Sequence, residues 1–240
     1  MRRFYCRLLR MTFQLTNLTS AQETHPKAVP FEFVEPKKPS AYRSFGKRAL
    51  DVTLVVATAW ITIPIIAILA LVVLVTGQTP FYVQDRVGQG GRTFRMWKVR
   101  TMLPDAERRL EEYLASNPDA RAEWDSKQKL LDDPRVTPIG NWLRRTSLDE
   151  LPQLLNVFNG TMSLVGPRPM TLDQKVQYTG NAYYRLRPGI TGTWQISDRN
   201  ACEFIGRVRF DEDYDRNLAF ATDFKILLRT VSVVIRGTGC

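Results

Sequence analysis

The sequence predicts an α+β fold, mostly helical, in which a proline-broken re-entrant helix seats a cytoplasmic domain with amphipathic interfacial helices on a membrane. Three observations predict it. Residues 52 to 75 read VTLVVATAWITIPIIAILALVVLV without a charged side chain, well past the ~18 apolar residues that mark a membrane helix. Pro64 stands in the middle of the run, where proline removes a backbone donor and collides with the preceding turn. Basic residues crowd both flanks: Arg43, Lys47 and Arg48 before, then Arg86, Arg92, Arg95, Lys98 and Arg100 after. One crossing cannot put both flanks on the cytoplasmic side, where positive charge is favoured.

A chain that enters, breaks at Pro64 and returns satisfies that preference. Each half holds about 12 residues, or roughly 18 Å of helix, short of a hydrocarbon core about 30 Å thick. The reading is therefore a hairpin over residues 41–79 in one leaflet, with Pro64 at the bend. A full span kinked at Pro64 is the alternative, since membrane helices tolerate proline. Upstream, residues 1–40 mix polar residues with Pro26, Pro30, Pro36 and Pro39 and show no period, as a flexible leader does. MRRFYCRLLR is basic, but the apolar stretch and small-residue cleavage site of a signal peptide are missing.

Residues 80–240 form the second domain. TGQTPFYVQDRVGQGGRTFRMWKVRTM alternates short apolar strings with Gly and Thr, a strand–turn–strand pattern with GQGG as the turn. Residues 104–115 read as a helix, and Asn117-Pro118-Asp119 starts another. DDPRVTPIGNWL reads as a loop. RRTSLDELPQLLNV (144–157) then carries Ser147 three residues before Glu150, a capping-box pattern. Leu151, Leu154, Leu155 and Phe158 follow at helical spacing. SLVGPRPM and YRLRPGITGTWQISDRN each hold an arginine among turn residues. The tail DFKILLRTVSVVIRG reads as an amphipathic helix, packed either into the core or into the membrane interface.

The chain carries 34 Lys and Arg against 24 Asp and Glu, a formal net charge of +10. That balance points to an anionic partner: nucleic acid, an anionic membrane surface or a phosphorylated substrate. Scattered aromatics and the lack of a recognisable binding fold argue against nucleic acid. His25 is the single histidine, and Cys6, Cys202 and Cys240 lack CxxC pairing. Histidine-based nucleophiles and zinc sites are excluded on that ground. The cysteines read as free thiols of a reducing compartment. What chemistry remains runs on carboxylates, arginines and lysines, with a hard, oxygen-liganded ion such as Mg²⁺.

Asp149 and Glu150 are the acids in question. As early acids of a helix they need do no more than cap it. Against that stand Lys98, Arg100, Arg144, Arg145, Arg168, Arg187 and Arg199, whose forks suit phosphate oxygens, and Asp211 as a further acid. Carboxylates among them can bind Mg²⁺ or attack phosphorus. The two roles are compatible, because a helix start can present a nucleophile.

KRALD, the proline-interrupted membrane run, FRMWKVRTM, DPRVTPIGNWLRRTSLDELPQLLNV, MSLVGPRP and RPGITGTWQ occur in that order. With them the chain resembles, over about residues 45 to 240, the bacterial sugar transferases: monotopic polyprenyl-phosphate sugar-1-phosphate transferases, or phosphoglycosyl transferases. It is most similar to the exopolysaccharide-initiating enzymes that transfer galactose- or glucose-phosphate. The resemblance implies that Asp149 attacks the sugar-bearing phosphate of a UDP-sugar and releases UMP. Undecaprenyl phosphate then takes the sugar-phosphate from the aspartate. It implies Glu150 as the Mg²⁺ ligand, with Mn²⁺ as the alternative ion. It places Lys98, Arg144, Arg168 and Arg187 around the phosphates, and Asp211 as a family acid of unspecified role. It further implies the bacterial cytoplasmic membrane as location, membrane lipid as partner and downstream glycosyltransferases as candidate partners. Ile63, Thr161 and Asp198 depart from the family pattern, with Thr62 the candidate replacement for a hydroxyl at the bend. A rival reading is a non-catalytic membrane-surface module, which accounts for the charge and the apolar run but not for acids set among the arginines.

Overall fold

The computed structural model describes residues 40–127, 130–197 and 206–235. The expected leader, apart from Ser40, lies outside the described residues, as do His25, the three cysteines, Asp198 and Arg199. Helix α1 runs Lys47–Val75, preceded by a π-helical turn at Tyr42–Gly46. Hydrogen bonding stays helical through Pro64, so the expected break into two separate helices is not found. Proline forfeits one backbone bond, but the apolar turns on either side have no better partner for their own N–H and C=O groups and keep them paired. Thr58, not Thr62, bonds back to the preceding turn, donating to the Leu54 carbonyl at 2.8 Å.

Both ends of α1 pack on the same body. At its start, Lys47 Nζ donates to the Tyr214 hydroxyl and to Asp223 Oδ2, each at 2.8 Å. Arg48 donates to the carbonyls of Val157 and Phe158, where a helix C-terminus favours a cation. Asp51 Oδ1 accepts the Leu164 N–H at 3.0 Å. Val55 then joins Phe94, Met96, Val157 and Met162 in one core cluster. Near its end, Leu69 and Val73 pack with Val99 and Leu143 in another. Between Val55 and Leu69 no side chain is buried, and Trp60 and Ile63 are largely exposed. KRALD is thus the segment that docks the long apolar helix on the rest of the fold.

Strands β1 (Phe81–Val87) and β2 (Thr93–Val99) pair antiparallel, from Phe81↔Val99 to Val87↔Thr93. The GQGG turn closes them with Gly90 and Gly91 at φ 68° and 75°, a region glycine enters without steric cost. Helices α2 (Ala106–Ser116) and α3 (Pro118–Lys127) follow as expected. The stretch expected as a loop contains α4 (Pro138–Arg145). Its signals were legible: Thr137 Oγ1 caps the Gly140 N–H at 2.9 Å and Pro138 occupies the first turn.

After α5 (Gln153–Phe158) come β3 (Ser163–Val165), α6 (Ala182–Arg185) and β4 (Gly189–Thr191). The two strands pair in parallel, Ser163↔Gly189 and Val165↔Thr191. Glycine is required at this seam, because a Cβ on Gly166 would lie 2.3 Å from the Arg187 carbonyl oxygen. The SLVGPRP and RPGITG phrases are therefore the two halves of one structure. Helices α7 (Arg207–Arg216) and α8 (Phe220–Ile235) complete the described chain. In α8, Asp223 and Ile226 are buried, while Phe220, Phe224, Leu228 and Val231 are exposed. One side of the tail helix is core, and an apolar stripe is left open.

Candidate active site

The acids of RRTSLDELPQLLNV do not start a helix in the expected way. Ser147 adopts a left-handed conformation, φ 56°, and its side chain makes no capping bond. A non-glycine residue held there costs about 1–3 kcal/mol, a strain that clusters at functional sites. Asp149 and Glu150 sit in a 3₁₀ turn, Leu148–Glu150, between α4 and α5. The Leu stripe splits accordingly: Leu151 and Leu154 are partly buried, whereas Leu155 and Phe158 are exposed. The capping box is corrected by this geometry, because a positive φ at Ser147 turns the chain away from a continuous helix.

What holds the acids is a lysine from a distant strand. Lys98 on β2 donates to Glu150 Oε1 at 2.8 Å and lies 3.8 Å from Asp149 Oδ2. Asp149 is 6 % exposed. Burial pushes its carboxyl up to about 6; Lys98 and Arg144 pull against that rise and the neighbouring Glu150 adds to it. Arg144 on α4 is positioned by its Nε bond to Thr101 Oγ1 at 3.0 Å and feels Asp149 as its first opposing charge. Gly140 lets α4 approach that closely, since a Cβ there would meet the Thr101 carbonyl oxygen at 2.1 Å.

A shallow, open cleft lies beside this pair. Lys98, Glu150 and Arg168 line it, together with Arg86, Gln153 and Gln195, with Pro169, Gly189 and Ile190 on the seam side. Asp149 is not on the wall; it stands one contact behind, against Lys98. Arg144 is likewise outside the lining. Arg187 is not brought to the cleft: it is half-buried, and its carbonyl packs on Gly166. Asp211 lies deeper still, 2 % exposed, accepting a bond from the Tyr178 hydroxyl at 2.9 Å. Burial pushes its carboxyl up to about 6 against the charge of Arg207. Arg207 in turn donates to the Arg168 carbonyl, so Asp211 supports the arginine loop from behind.

Sequence reasoning missed Arg86, Gln153 and Gln195 as cleft residues. Their spacing in the chain gives no signal; the hairpin register and the β3–β4 seam bring them together. The Thr161 departure is absorbed: its hydroxyl bonds the Asn156 carbonyl and accepts from the Asn156 amide, both at 3.1 Å.

Among the described residues no three His, Cys, Asp or Glu side chains converge, so an all-protein cage is absent there. Glu150, a carboxylate on the wall of a cationic cleft, suits Mg²⁺ in its usual mode, with one or two carboxylates, water and substrate phosphate as ligands.

Residues 42–237 match the family described as bacterial sugar transferase. The chain is 43 % identical over 197 residues to the UDP-galactose-lipid carrier transferase of Erwinia amylovora, covering 81 % of this chain and 41 % of that protein. It is 42 % identical over 213 residues to the exopolysaccharide production protein ExoY of Sinorhizobium fredii, covering 86 % of this chain and 94 % of that one. It is also 42 % identical over 197 residues to the undecaprenyl-phosphate galactose phosphotransferase of Salmonella typhimurium, 81 % of this chain and 41 % of that protein. The chain thus spans about two fifths of two of these relatives and nearly all of the third. A match over most of the chain, with the carboxylate pair and arginine loop in the matched region, means that it belongs to the bacterial sugar transferase family.

Proposed function

We propose that this protein transfers a hexose-1-phosphate, galactose first and glucose second, from a UDP-sugar to undecaprenyl phosphate, the opening step of exopolysaccharide repeat-unit assembly. The observation that carries the reading is the Asp149–Glu150 pair held by Lys98 at an arginine-lined cleft. Asp149 Oδ attacks the sugar-bearing phosphorus, and the bond from that phosphorus to the bridging oxygen breaks, releasing UMP. A phosphate oxygen of the lipid then attacks the same phosphorus and frees the carboxylate, giving undecaprenyl-diphosphate-sugar. Lys98 and Arg168 offset the charge of the phosphates, and Lys98, then Arg144, favour the ionised Asp149 carboxylate against its burial. Glu150 would hold Mg²⁺ together with substrate oxygens, and the ion would supply further charge neutralisation. Galactose is ranked first because two of the similar proteins carry it in their names. A mere lipid-binding module has no use for an acid buried beneath its basic surface.

The wild-type protein given UDP-galactose and Mg²⁺ without acceptor should release UMP in an amount limited by the enzyme; added undecaprenyl phosphate should make release catalytic. UDP-glucose and other UDP-hexoses in parallel identify the sugar. No UMP from any of them rejects the enzymatic reading.

The membrane reading is a monotopic one, with both ends of α1 held on the cytoplasmic face of the bacterial inner membrane. A straight helix of 29 residues is about 43 Å long and, if it crossed, would carry one end away from the domain. Here the Lys47–Val55 end and the Leu69–Val73 end both pack on that domain. The exposed apolar side chains of α8, with Trp142, Leu155 and Phe158, supply a surface that suits the interface. Cysteines placed before Tyr42 and after Val75 should be labelled by an impermeant reagent only in opened cells. Labelling of one of them in intact cells would establish a full span instead.

A further inference from the structure

Arg86, on β1, is a partly buried cation that the functional reading leaves unused. It reaches the cleft, where its Nη2 donates to Gln84 Oε1 and its Nη1 to the Pro169 carbonyl at 3.2 Å. Its Nε is buried without a hydrogen-bond partner. Burial, and then the charge of Arg168, pull its guanidinium down to about 10; Glu150 is the one carboxylate that opposes this, and it acts last. Glu150 is itself engaged by Lys98 at 2.8 Å. Arg168 stands between Arg86 and Arg207, each of which feels its charge. Asp211 is the acid that faces this group, and it answers Arg207. The cluster therefore holds more positive than negative charge at the wall of a cleft open to solvent.

Drawing a guanidinium out of water is costly unless an opposite charge completes its site. Arginine's planar fork, unlike an ammonium, presents its donors in the spacing of phosphate oxygens. We infer that Arg86 and Arg168 form a phosphate subsite opposite Lys98 and Glu150, with Arg86 donating directly to a phosphate oxygen of the substrate. Its two protein bonds, to the Gln84 amide and the Pro169 carbonyl, orient the fork and join β1 to the arginine loop. The inference rests on the transferase reading above. The shared chemistry is a phosphate group, and its source is either the nucleotide diphosphate or the lipid phosphate.

The test compares wild type, Arg86→Met and Arg86→Lys in detergent with the UDP-hexose that wild type uses. UMP release is measured without acceptor, then with undecaprenyl phosphate varied. Arg86→Met should keep its melting temperature near wild type and lose about 10- to 100-fold in kcat/KM, the size of a lost charge-assisted bond. A rise in KM for the UDP-sugar assigns the subsite to the donor; a rise confined to undecaprenyl phosphate assigns it to the lipid. Arg86→Lys should recover part of the loss. A structural tether alone would lower the melting temperature and the active fraction while both KM values stay unchanged, and that result overturns the inference. If Arg86→Met does not fold, Arg86→Lys decides: about tenfold loss in kcat/KM is expected, and an unchanged value overturns it. A wild-type protein that turns over no UDP-hexose removes the transferase reading and this inference together, whereas an active wild type with indifferent variants removes the inference alone.

Discussion

Asp149→Asn should remain folded and membrane-bound and lose at least about a thousandfold in turnover, roughly 4 kcal/mol of transition-state stabilisation. The amide matches the carboxylate in size. Because burial raises the Asp149 carboxyl to about 6, the folded state opposes its charge, and a neutral amide removes that penalty. Thermal stability near neutral pH should therefore be unchanged or slightly higher. An amide has no charge with which to attack phosphorus, so a nucleophilic role cannot survive the substitution. The two effects run in opposite directions, which separates chemistry from structure in one variant. Quenched wild-type protein incubated with UDP-sugar alone should carry a sugar-phosphate on Asp149, visible by mass spectrometry and absent from the variant. Turnover near the wild-type rate in Asp149→Asn would end this mechanism.

Removal of divalent metal should abolish turnover, with Mg²⁺ or Mn²⁺ restoring it. Glu150 is half-buried at the wall of the cleft and is the candidate ligand. With so few protein oxygens, the ion must draw its remaining ligands from water and the substrate diphosphate, so affinity for metal alone should be weak. Glu150→Gln keeps one carbonyl oxygen but loses the charge. It should fold, bind Mg²⁺ at least about tenfold more weakly in a titration with UDP-sugar present, and turn over slowly at saturating ion. The Lys98 ammonium, relieved of Glu150, then faces Asp149 alone at 3.8 Å, which should hold that acid more firmly ionised. Full activity in excess EDTA would remove Glu150 from any metal role.

The parts of this protein that local spacing encodes were legible without a structure. The apolar run, the Gly-closed hairpin and the Asn117-Pro118 helix start depend on residues a few positions apart, and each appears where the spacing puts it. Even the missed helix α4 was signalled locally, by Thr137 and Pro138. Asp149, Glu150, Lys98 and Arg168 were candidate site residues by their types and by the family resemblance, and the fold brings them together.

Tertiary structure decided what those residues do for one another. Ser147 offered a capping box in sequence, yet the left-handed turn that brings Asp149 and Glu150 to Lys98 overrides it. Arg187 reads like Arg168 in the chain, but the parallel seam carries one to the cleft and not the other. KRALD reads as a positive flank, and folding makes it the dock of the membrane helix on Val157, Leu164, Tyr214 and Asp223. Asp211 meets the charge of Arg207 and the Tyr178 hydroxyl behind the arginine loop, and Arg86 becomes a cleft residue only once β1 meets that loop. Helix and turn signals are written within about one turn of backbone, where side chains compete for the same few N–H and C=O groups. A charge buried against a partner more than fifty residues away obeys packing and desolvation instead, and those exist only once the core has closed.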